Sequence, residues 1–382
     1  MSKLEELIKE FCPNGVECKS LLELVDIHKG IQFNKKDMAK EGSYPVINGG
    51  IAPSGYIENY NEQENTITIS QGGASAGYVN WLLTKFWAGA HCYVVKPLNN
   101  GILDNRYLFH FIKNNENILK QCQYGAGIPA LAKSTIQELQ IPLPALPVQR
   151  EIVRILDSFT LYSAELTAEL TARRKQYEFY RDKLLNFDIE IEWKTIEEAC
   201  NMSAGGDVPK DRFSRERTEQ FYVPVYSNGV DENALYGYTD KAKIFEPCIT
   251  VAARGTIGYC ALRTEPFFPV VRLICLCPKK EIIPKYLKYY IETIHFQVPT
   301  SGIPQLTVPM IGKYKIPIPP IDVQERIVKV LDNFDAICSD LGIGLPAEIE
   351  KRQKQYEYYR DKLLSFDINV DKVINTTGGG NS

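Results

Sequence analysis

The sequence predicts an α+β protein in which two tandem mixed α/β domains are separated by long helices, paired as an antiparallel coiled coil about a pseudo-twofold axis. Three observations carry this. The chain of 382 residues repeats itself, Tyr177–Asp188 (YEFYRDKLLNFD) returning at Tyr356–Asp367 (YEYYRDKLLSFD) with ten of twelve positions identical. Each repeat holds short apolar runs between turn signals, the pattern of strands. Each also holds a stretch whose apolar residues fall alternately four and three apart, the spacing of a helical seam.

The duplication reaches well upstream of that motif. Val148-Gln149, Ile152-Val153, Leu156-Asp157 and Phe159 recur as Val323-Gln324, Ile327-Val328, Leu331-Asp332 and Phe334. Ile141-Pro-Leu-Pro144 answers Ile316-Pro-Ile-Pro319, and Gly127-Ile-Pro129 answers Gly302-Ile-Pro304. So long a period excludes a solenoid and calls for two globular halves, which 44% hydrophobic residues can supply with cores.

Residues 1–146 form the first predicted domain. Leu4 to Phe11 is a short amphipathic helix stopped by Pro13-Asn14-Gly15. Strands are expected at Leu21–Ile27, at Tyr44–Ile47 before Asn48-Gly49-Gly50, at Thr66–Ser70 before Gly72-Gly73, and at Cys92–Val95 before Pro97. Gly72 to Gly77 follows a strand in a β-rich domain and reads as a turn, not a phosphate loop. Helical spacing takes over at Tyr107. Residues 189–319 repeat this order, with Tyr222–Tyr226, Ile249–Ala253 and Tyr286–Ile291 matching the Tyr44, Thr66 and Tyr107 elements.

Residues 147–188 form the central spacer helix. Val148, Ile152, Ile155, Phe159, Tyr162 and Leu166 set its seam, and Leu166 to Leu170 repeats a four-residue step before Arg173, Tyr177, Tyr180 and Leu184, a stutter. With no Gly or Pro inside, the helix should be about 60 Å long at 1.5 Å per residue. Its counterpart, 320–367, is expected to start at a cap formed by Asp322 with Glu325 and to follow Val323, Ile327, Val330, Phe334, Ile337 and Leu341. Gly342 to Pro346 interrupts it, and Pro346 opens a second helix carrying Ile349, Arg352, Tyr356, Tyr359 and Leu363. Residues 368–382 are expected to be a disordered tail. Phe159, Leu166, Leu170, Tyr177, Tyr180, Phe334, Tyr356 and Tyr359 are thus assigned to helix packing.

Net charge is −3, and no segment has a basic surplus above one, so a nucleic-acid surface has to be local or completed by a partner. The ten cysteines read as free thiols, Cys275 and Cys277 as small buried hydrophobes rather than metal ligands. No apolar run of membrane-spanning length occurs, and the charged start Met1-Ser-Lys-Leu-Glu-Glu predicts a soluble, cytoplasmic protein with no membrane partner. Neither an Asn-Pro-Pro-Tyr motif nor a Gly-x4-Gly-Lys-Ser/Thr loop is present, and Glu192-Trp-Lys194 lacks an upstream acid, so the chain is expected to be non-catalytic.

Two related domains held apart by a rigid helical spacer suit DNA, a polymer on which a fixed distance between two read-out sites has meaning. The pattern resembles the specificity subunit of type I restriction-modification enzymes, in the subgroup whose spacer carries Thr-Ala-Glu-Leu repeats. Here these are Thr167-Ala-Glu-Leu170 and the variant Ser163-Ala-Glu-Leu166; Arg352-Gln-Lys-Gln-Tyr-Glu-Tyr-Tyr-Arg-Asp361 and Arg174-Lys-Gln-Tyr-Glu-Phe-Tyr-Arg-Asp182 carry most of the match. The resemblance implies two target-recognition domains, each reading half of a bipartite asymmetric site in double-stranded DNA. It implies helices that set the gap and bind two methyltransferase subunits, to which two restriction subunits can add. S-adenosylmethionine, ATP and magnesium would belong to those partners, with no cofactor or metal in this chain.

The loops are where the two domains differ, Lys29-Gly-Ile-Gln-Phe-Asn-Lys-Lys36 against Ala204-Gly-Gly-Asp-Val-Pro-Lys-Asp-Arg-Phe-Ser-Arg-Glu-Arg217. Side chains that contact phosphates and base edges nominate Lys29, Gln32, Asn34, Lys35, Lys36 and Gln71 in the first domain, and Lys210, Arg212, Arg215, Arg217 and Arg254 in the second. Two other readings compete: a coiled-coil adaptor that tethers partners without sequence-specific DNA binding, and a self-sufficient nuclease.

Overall fold

The computed structural model describes residues 2–125, 127, 129–187, 191–298, 304–339 and 342–366. The expectations for Ile128, Asp188, Gly302, Ile303, Leu341 and the 368–382 tail lie outside the described residues. The fold is α+β, with two domains of like element order. The chain divides into two compact units, one running to Leu166 and resuming at Ile349, the other spanning Thr167–Glu348.

The first domain opens with α1 (Lys3–Phe11), whose Ser2 and Glu5 form a capping box. β1 (Cys18–Ser20), α2 (Leu21–Leu24) and β2 (Val25–Lys29) follow, then β3 (Tyr44–Ile47), β4 (Tyr56–Ile57), β5 (Thr66–Ser70), β6 (Val79–Leu82), β7 (Trp87–Ala88) and β8 (Cys92–Pro97). Three helices, α3 (Asn105–Asn114), α4 (Glu116–Gln121) and α5 (Lys133–Gln137), lead to β9 (Gln140–Pro142) and the long helix α6 (Leu146–Leu184). The main sheet is antiparallel in the order β2-β8-β5-β6, with a smaller sheet β4-β3-β7 and the pair β1-β9. β5, Thr-Ile-Thr-Ile-Ser, is buried along its whole length, as a β-branched central strand should be. The strand expected at Leu21–Ile27 is instead a helical turn followed by a strand. Ser20 Oγ accepts the Leu22 N–H at 3.3 Å and caps the turn, so extended backbone begins only at Val25.

The second domain repeats the series as β10 (Glu192–Thr195), α7 (Ile196–Ala199), β11 (Cys200–Ala204), β12 (Phe213–Ser214), β13 (Val223–Tyr226), β14 (Leu235–Thr239), β15 (Cys248–Val251), β16 (Cys260–Arg263), β17 (Phe268–Pro269) and β18 (Ile274–Pro278). After them come α8 (Pro284–Ile291), α9 (Val308–Gly312), β19 (Lys315–Ile318), α10 (Ile321–Ser339) and α11 (Leu345–Ser365). Its sheets are β11-β18-β15-β16, β12-β14-β13-β17 and the pair β10-β19, so strand order is kept and β12 is the addition.

The spacer helix is seated on the first domain by a buried glutamine. Gln149 Nε2 donates to the carbonyls of Ile102 (2.9 Å) and Pro144 (2.7 Å), and its Oε1 accepts the Asp104 N–H (2.8 Å). Within the other unit Gln324 does the same with the carbonyls of Glu281 (2.9 Å) and Pro319 (2.8 Å) and the N–H of Ile283 (2.8 Å). Val148, Ile152 and Leu156 complete one core with Tyr107 and Ile141, joined by Leu363 and Leu364 of α11. Ile327 and Leu331 complete the other with Tyr286 and Ile316.

A second contact lies about two turns further along each helix. Asp157 accepts from Arg106 Nε (3.0 Å) and Nη2 (2.8 Å) and bonds His110 Nε2 (2.8 Å); Asp332 accepts from Lys285 Nζ (2.8 Å) and the Tyr289 hydroxyl (2.6 Å). The Asp pairs, but its partners changed. α10 corrects one expectation: the helix already starts at Ile321, so Asp322 is a first-turn residue paired with Arg326 four residues on, not the cap. Pro320 offers no side-chain acceptor, and its carbonyl receives the first N–H groups instead.

α6 has 39 residues, which at 1.5 Å each makes it about 58 Å long. Within the first unit Phe159 packs on Tyr356 (6.2 Å) and stacks on Tyr359 (5.7 Å); within the second, Phe334 packs on Tyr177 (6.5 Å) and stacks on Tyr180 (5.5 Å). Tyr162 is 61% exposed and leaves the seam, where Ser163 is half-buried together with Leu166 and Leu170. The double four-residue step therefore falls at Ile155, Phe159 and Ser163, about two turns before the expected stutter. A small polar residue at a seam position is invisible to a search for apolar periodicity.

Candidate nucleic-acid interface

β8 and β18 occupy the same place in the two main sheets, and the segments that carry the nominated residues leave those sheets at the N-terminal ends of the two strands. Lys29 pairs with Tyr93 and Ser70 with Cys92, so the segments from Lys29 onward and from Gln71 onward leave the sheet on either side of β8. Gly30 N donates to the Cys92 carbonyl and Gln71 N to that of His91, at 3.0 and 2.9 Å. In the second domain Ala204 and Val251 both align with Ile274 of β18, and Gly205 N donates to the Leu273 carbonyl at 2.8 Å.

In the first domain the loop is laid down by its glycine and aromatics. A Cβ at Gly30 would stand 2.2 Å from the Ala88 carbonyl oxygen, so only glycine lets the chain cross β7 there. Trp87 Nε1 donates to the Ile31 carbonyl at 2.9 Å, and the Phe33 ring meets Trp87 edge-on at 5.3 Å. Beyond that anchor Gln32, Asn34, Lys35 and Lys36 are exposed, the lysines on a 3-10 turn over Lys35–Asp37. Lys29 Nζ lies 5.8 Å from the Tyr93 ring centroid, and Gln32 Nε2 folds back onto the Phe33 carbonyl at 3.1 Å. Beside it, His28 bridges Asp26 (2.9 Å) and the buried Glu62 (2.8 Å). Burial opposes its charge, yet the hydrogen bonds and charges of Glu62 and Asp26 prevail and raise its pKa above the ordinary histidine value.

In the second domain Lys210 and Arg212 lie on the 3-10 turn Lys210–Arg212. Arg212 is engaged at home, its Nη2 2.6 Å and Nε 2.8 Å from Asp240. The Arg212 hydrogen bond is the leading cause that holds the Asp240 carboxyl below the usual range. Arg215 stands over the Tyr236 ring at 5.6 Å, and Arg217 is exposed. Arg254, placed just after β15, donates from Nε (2.9 Å) and Nη2 (2.6 Å) to Gln305 Oε1. Two residues missing from the sequence nominations join it: Gln305 itself, and Arg272, whose Nη1 lies 3.3 Å from the same oxygen. No periodicity or motif marks them.

The remaining candidates behave as scaffold. Gly73 N bonds the Pro129 carbonyl and Gly77 N that of Ser70, so the Gly72–Gly77 stretch is the turn from β5 to β6. Lys194 pairs with Glu281 at 2.6 Å. Cys275 and Cys277 pack with Cys248 and Phe267 in one small buried cluster, where thiol contacts and burial keep the Cys248 thiol protonated. Among the described residues no helix is long and apolar enough to cross a membrane.

Two copies of one α+β domain, each presenting a different polar loop cluster at the same sheet end and each clamped to a helix, define a tandem recognition protein. The family model described as the type I restriction modification DNA specificity domain matches it twice, at residues 13–173 and 189–351. A Mycoplasma pneumoniae chain named as a type I specificity subunit is 35% identical over 328 residues, covering 82% of this chain and 97% of that one. The Escherichia coli EcoR124I/EcoR124II specificity subunit is 36% identical over 264 residues, 61% of this chain and 65% of that one. The solved S subunit from M. genitalium shares the fold, with a TM-score of 0.65 at 22% identity over 92% of this chain and 96% of that one. The chain belongs to the type I restriction-modification DNA specificity family.

Proposed function

We propose that each domain reads one half of a bipartite, asymmetric site in double-stranded DNA through the loops at the N-terminal ends of β8 and β18. One observation carries this reading: the backbone at those ends is repeated while its side chains are not, Lys29 to Lys36 standing where Ala204 to Arg217 stands in the other half. Scaffold kept and loops changed is the signature of one task performed on two targets.

The helices set the gap and hold two methyltransferase subunits. Equivalent exposed aromatics recur on both: Phe179 meets Tyr180, and Tyr358 meets Tyr359, each pair edge-on at 5.4 Å, with Phe179 and Tyr358 both 61% exposed. Two like patches suit two copies of one partner. Restriction subunits add to that assembly. S-adenosylmethionine, ATP and magnesium act on the partners, this chain contributes recognition without catalysis, and the complex works in the cytoplasm.

The test is co-expression with the cognate methyltransferase subunit and base-resolution mapping of methyladenine in host DNA. A split asymmetric motif that changes in one half when one domain's loops are exchanged is the expected result. A stable complex that adds no methylation would favour the tether reading. Deleting Thr167–Leu170 removes four residues, about 6 Å of helix, and should shorten the preferred gap by at most ~2 base pairs; an unchanged gap would sink the ruler role.

A further inference from the structure

The second domain holds a side-chain cluster without a counterpart in the first. Arg254 and Arg272 share the single amide oxygen of Gln305, at 2.6 Å and 3.3 Å for their nearest nitrogens. Among the described residues neither guanidinium is paired with a carboxylate. Two like charges on one neutral oxygen form an incomplete arrangement, since their remaining N–H groups call for further acceptors.

The chain goes to some length to build it. Val271 and Arg272 sit at φ 53° and 62°, the left-handed region that a β-branched residue strongly disfavours. They are held there by Val271 N and Arg272 N donating to the Gly206 and Gly205 carbonyls (2.8 and 2.9 Å) and by Asn228 Nδ2 on the Val271 carbonyl (2.6 Å). Gln305 is fixed from the other side by Leu306 N on the Ala253 carbonyl at 2.9 Å. In the first domain the same bond runs from Leu131 N to the Gln71 carbonyl, so strand register places Gly72, His91 and Ala130 where Arg254, Arg272 and Gln305 stand. No guanidinium occupies that place.

We propose that Arg254 and Arg272, oriented by Gln305, read guanine in the second domain's half-site through its major-groove O6 and N7. This rests on the reading that each domain recognises one half-site. A guanidinium fork fits those two coplanar acceptors, and Gln305 fixes the plane of the Arg254 fork in advance, which a diffuse phosphate contact does not need.

The test uses the complex with its methyltransferase subunit and methyladenine mapping, with binding competition on duplexes varied one base at a time. Arg254→Ala and Arg272→Ala should each cut discrimination for guanine at a position of the second half-site about ten- to a hundredfold. Arg254→Lys, which keeps the charge and loses the fork, should not restore it, and the first half-site should stay as it was. An unchanged motif with uniformly weaker methylation would assign the pair to phosphate and overturn the proposal, as would variants indistinguishable from the parent. A parent complex lacking any split motif would fail the half-site reading itself, before any variant is compared.

Discussion

Gln149 and Gln324 make the same three bonds in the two halves of the molecule, whereas Gly72 and Arg254, equally matched by strand register, share neither size nor charge. The two pairs lie off opposite ends of β8 and β18. Past the C-terminal end the chain turns to meet a helix, and there the clamping glutamine and its three bonds are copied. At the N-terminal end the loops begin, and only the backbone is copied. Asp157 and Asp332 fall between these extremes, the acid retained and its partners exchanged. At the glutamine clamps the residue and its geometry are both held; at the N-terminal ends of β8 and β18 the backbone is held and the side chains differ.

The sharpest way to break this comparison is at the clamps. Gln149→Ala or Gln324→Ala would leave three backbone groups without a partner, at a cost of about 3 kcal/mol in either unit. Denaturant unfolding of the two variants should show similar losses; a difference above about 1 kcal/mol would mean that the joints are not equivalent. A smaller and unequal effect is expected at the aspartates. Asp157→Asn should cost about 2 kcal/mol, the range for hydrogen bonds to charged groups, and Asp332→Asn less, because Lys285 is more exposed than Arg106.

Burial works against the Asp157 charge, but hydrogen bonds from His110 and Arg106 and the Arg106 charge outweigh it and lower its pKa. A lowered folded pKa stabilises above the unfolded value of about 3.9, and that contribution is lost as pH falls through the folded value. Thermal melts from pH 5 downward should therefore see the parent approach Asp157→Asn. His28 has the opposite sign. Its raised folded pKa gives stability that is complete below an unfolded value of about 6.5 and fades as pH rises through the folded one. Hydrogen exchange in β2 and β8 should quicken from pH 6 to 8.5 beyond the intrinsic rise, and His28→Gln should abolish the excess. β11 and β18 should show no such excess, since Ser203 takes the place of His28. The smallest effect is at Arg212→Ala, whose solvent-screened pair with Asp240 should leave the denaturation midpoint almost unchanged.

What the sequence displayed was periodicity and repetition, and these suffice for the α+β fold, for β3, β5 and β8, and for the aromatic pairs at Phe159 and Phe334. It was misleading where one polar atom redirects the chain: the Ser20 hydroxyl that turns Leu21–Leu24 into a helical turn, and Ser163, which takes the seam position given to Tyr162. The loop candidates were nominated by residue type; strand register places the segments that follow Lys29, Ser70, Ala204 and Val251 at one end of each main sheet, whereas Lys210 to Arg217 flank β12 in the smaller sheet. Arg272 and Gln305 were not, because what singles them out is a left-handed turn and a shared oxygen 33 residues apart in the chain. Likewise nothing in the local sequence tells that Arg212 is occupied by Asp240, 28 residues on.

The clamp glutamines hydrogen-bond main-chain atoms of the domain they hold: the carbonyls of Ile102 and Glu281 and the N–H groups of Asp104 and Ile283. At the glutamine itself the joint recognises peptide groups, and the residues that offer them, Ile102 and Asp104 or Glu281 and Ile283, differ in side chain. The loops at the other end of each sheet can then differ between the two domains while this attachment stays the same.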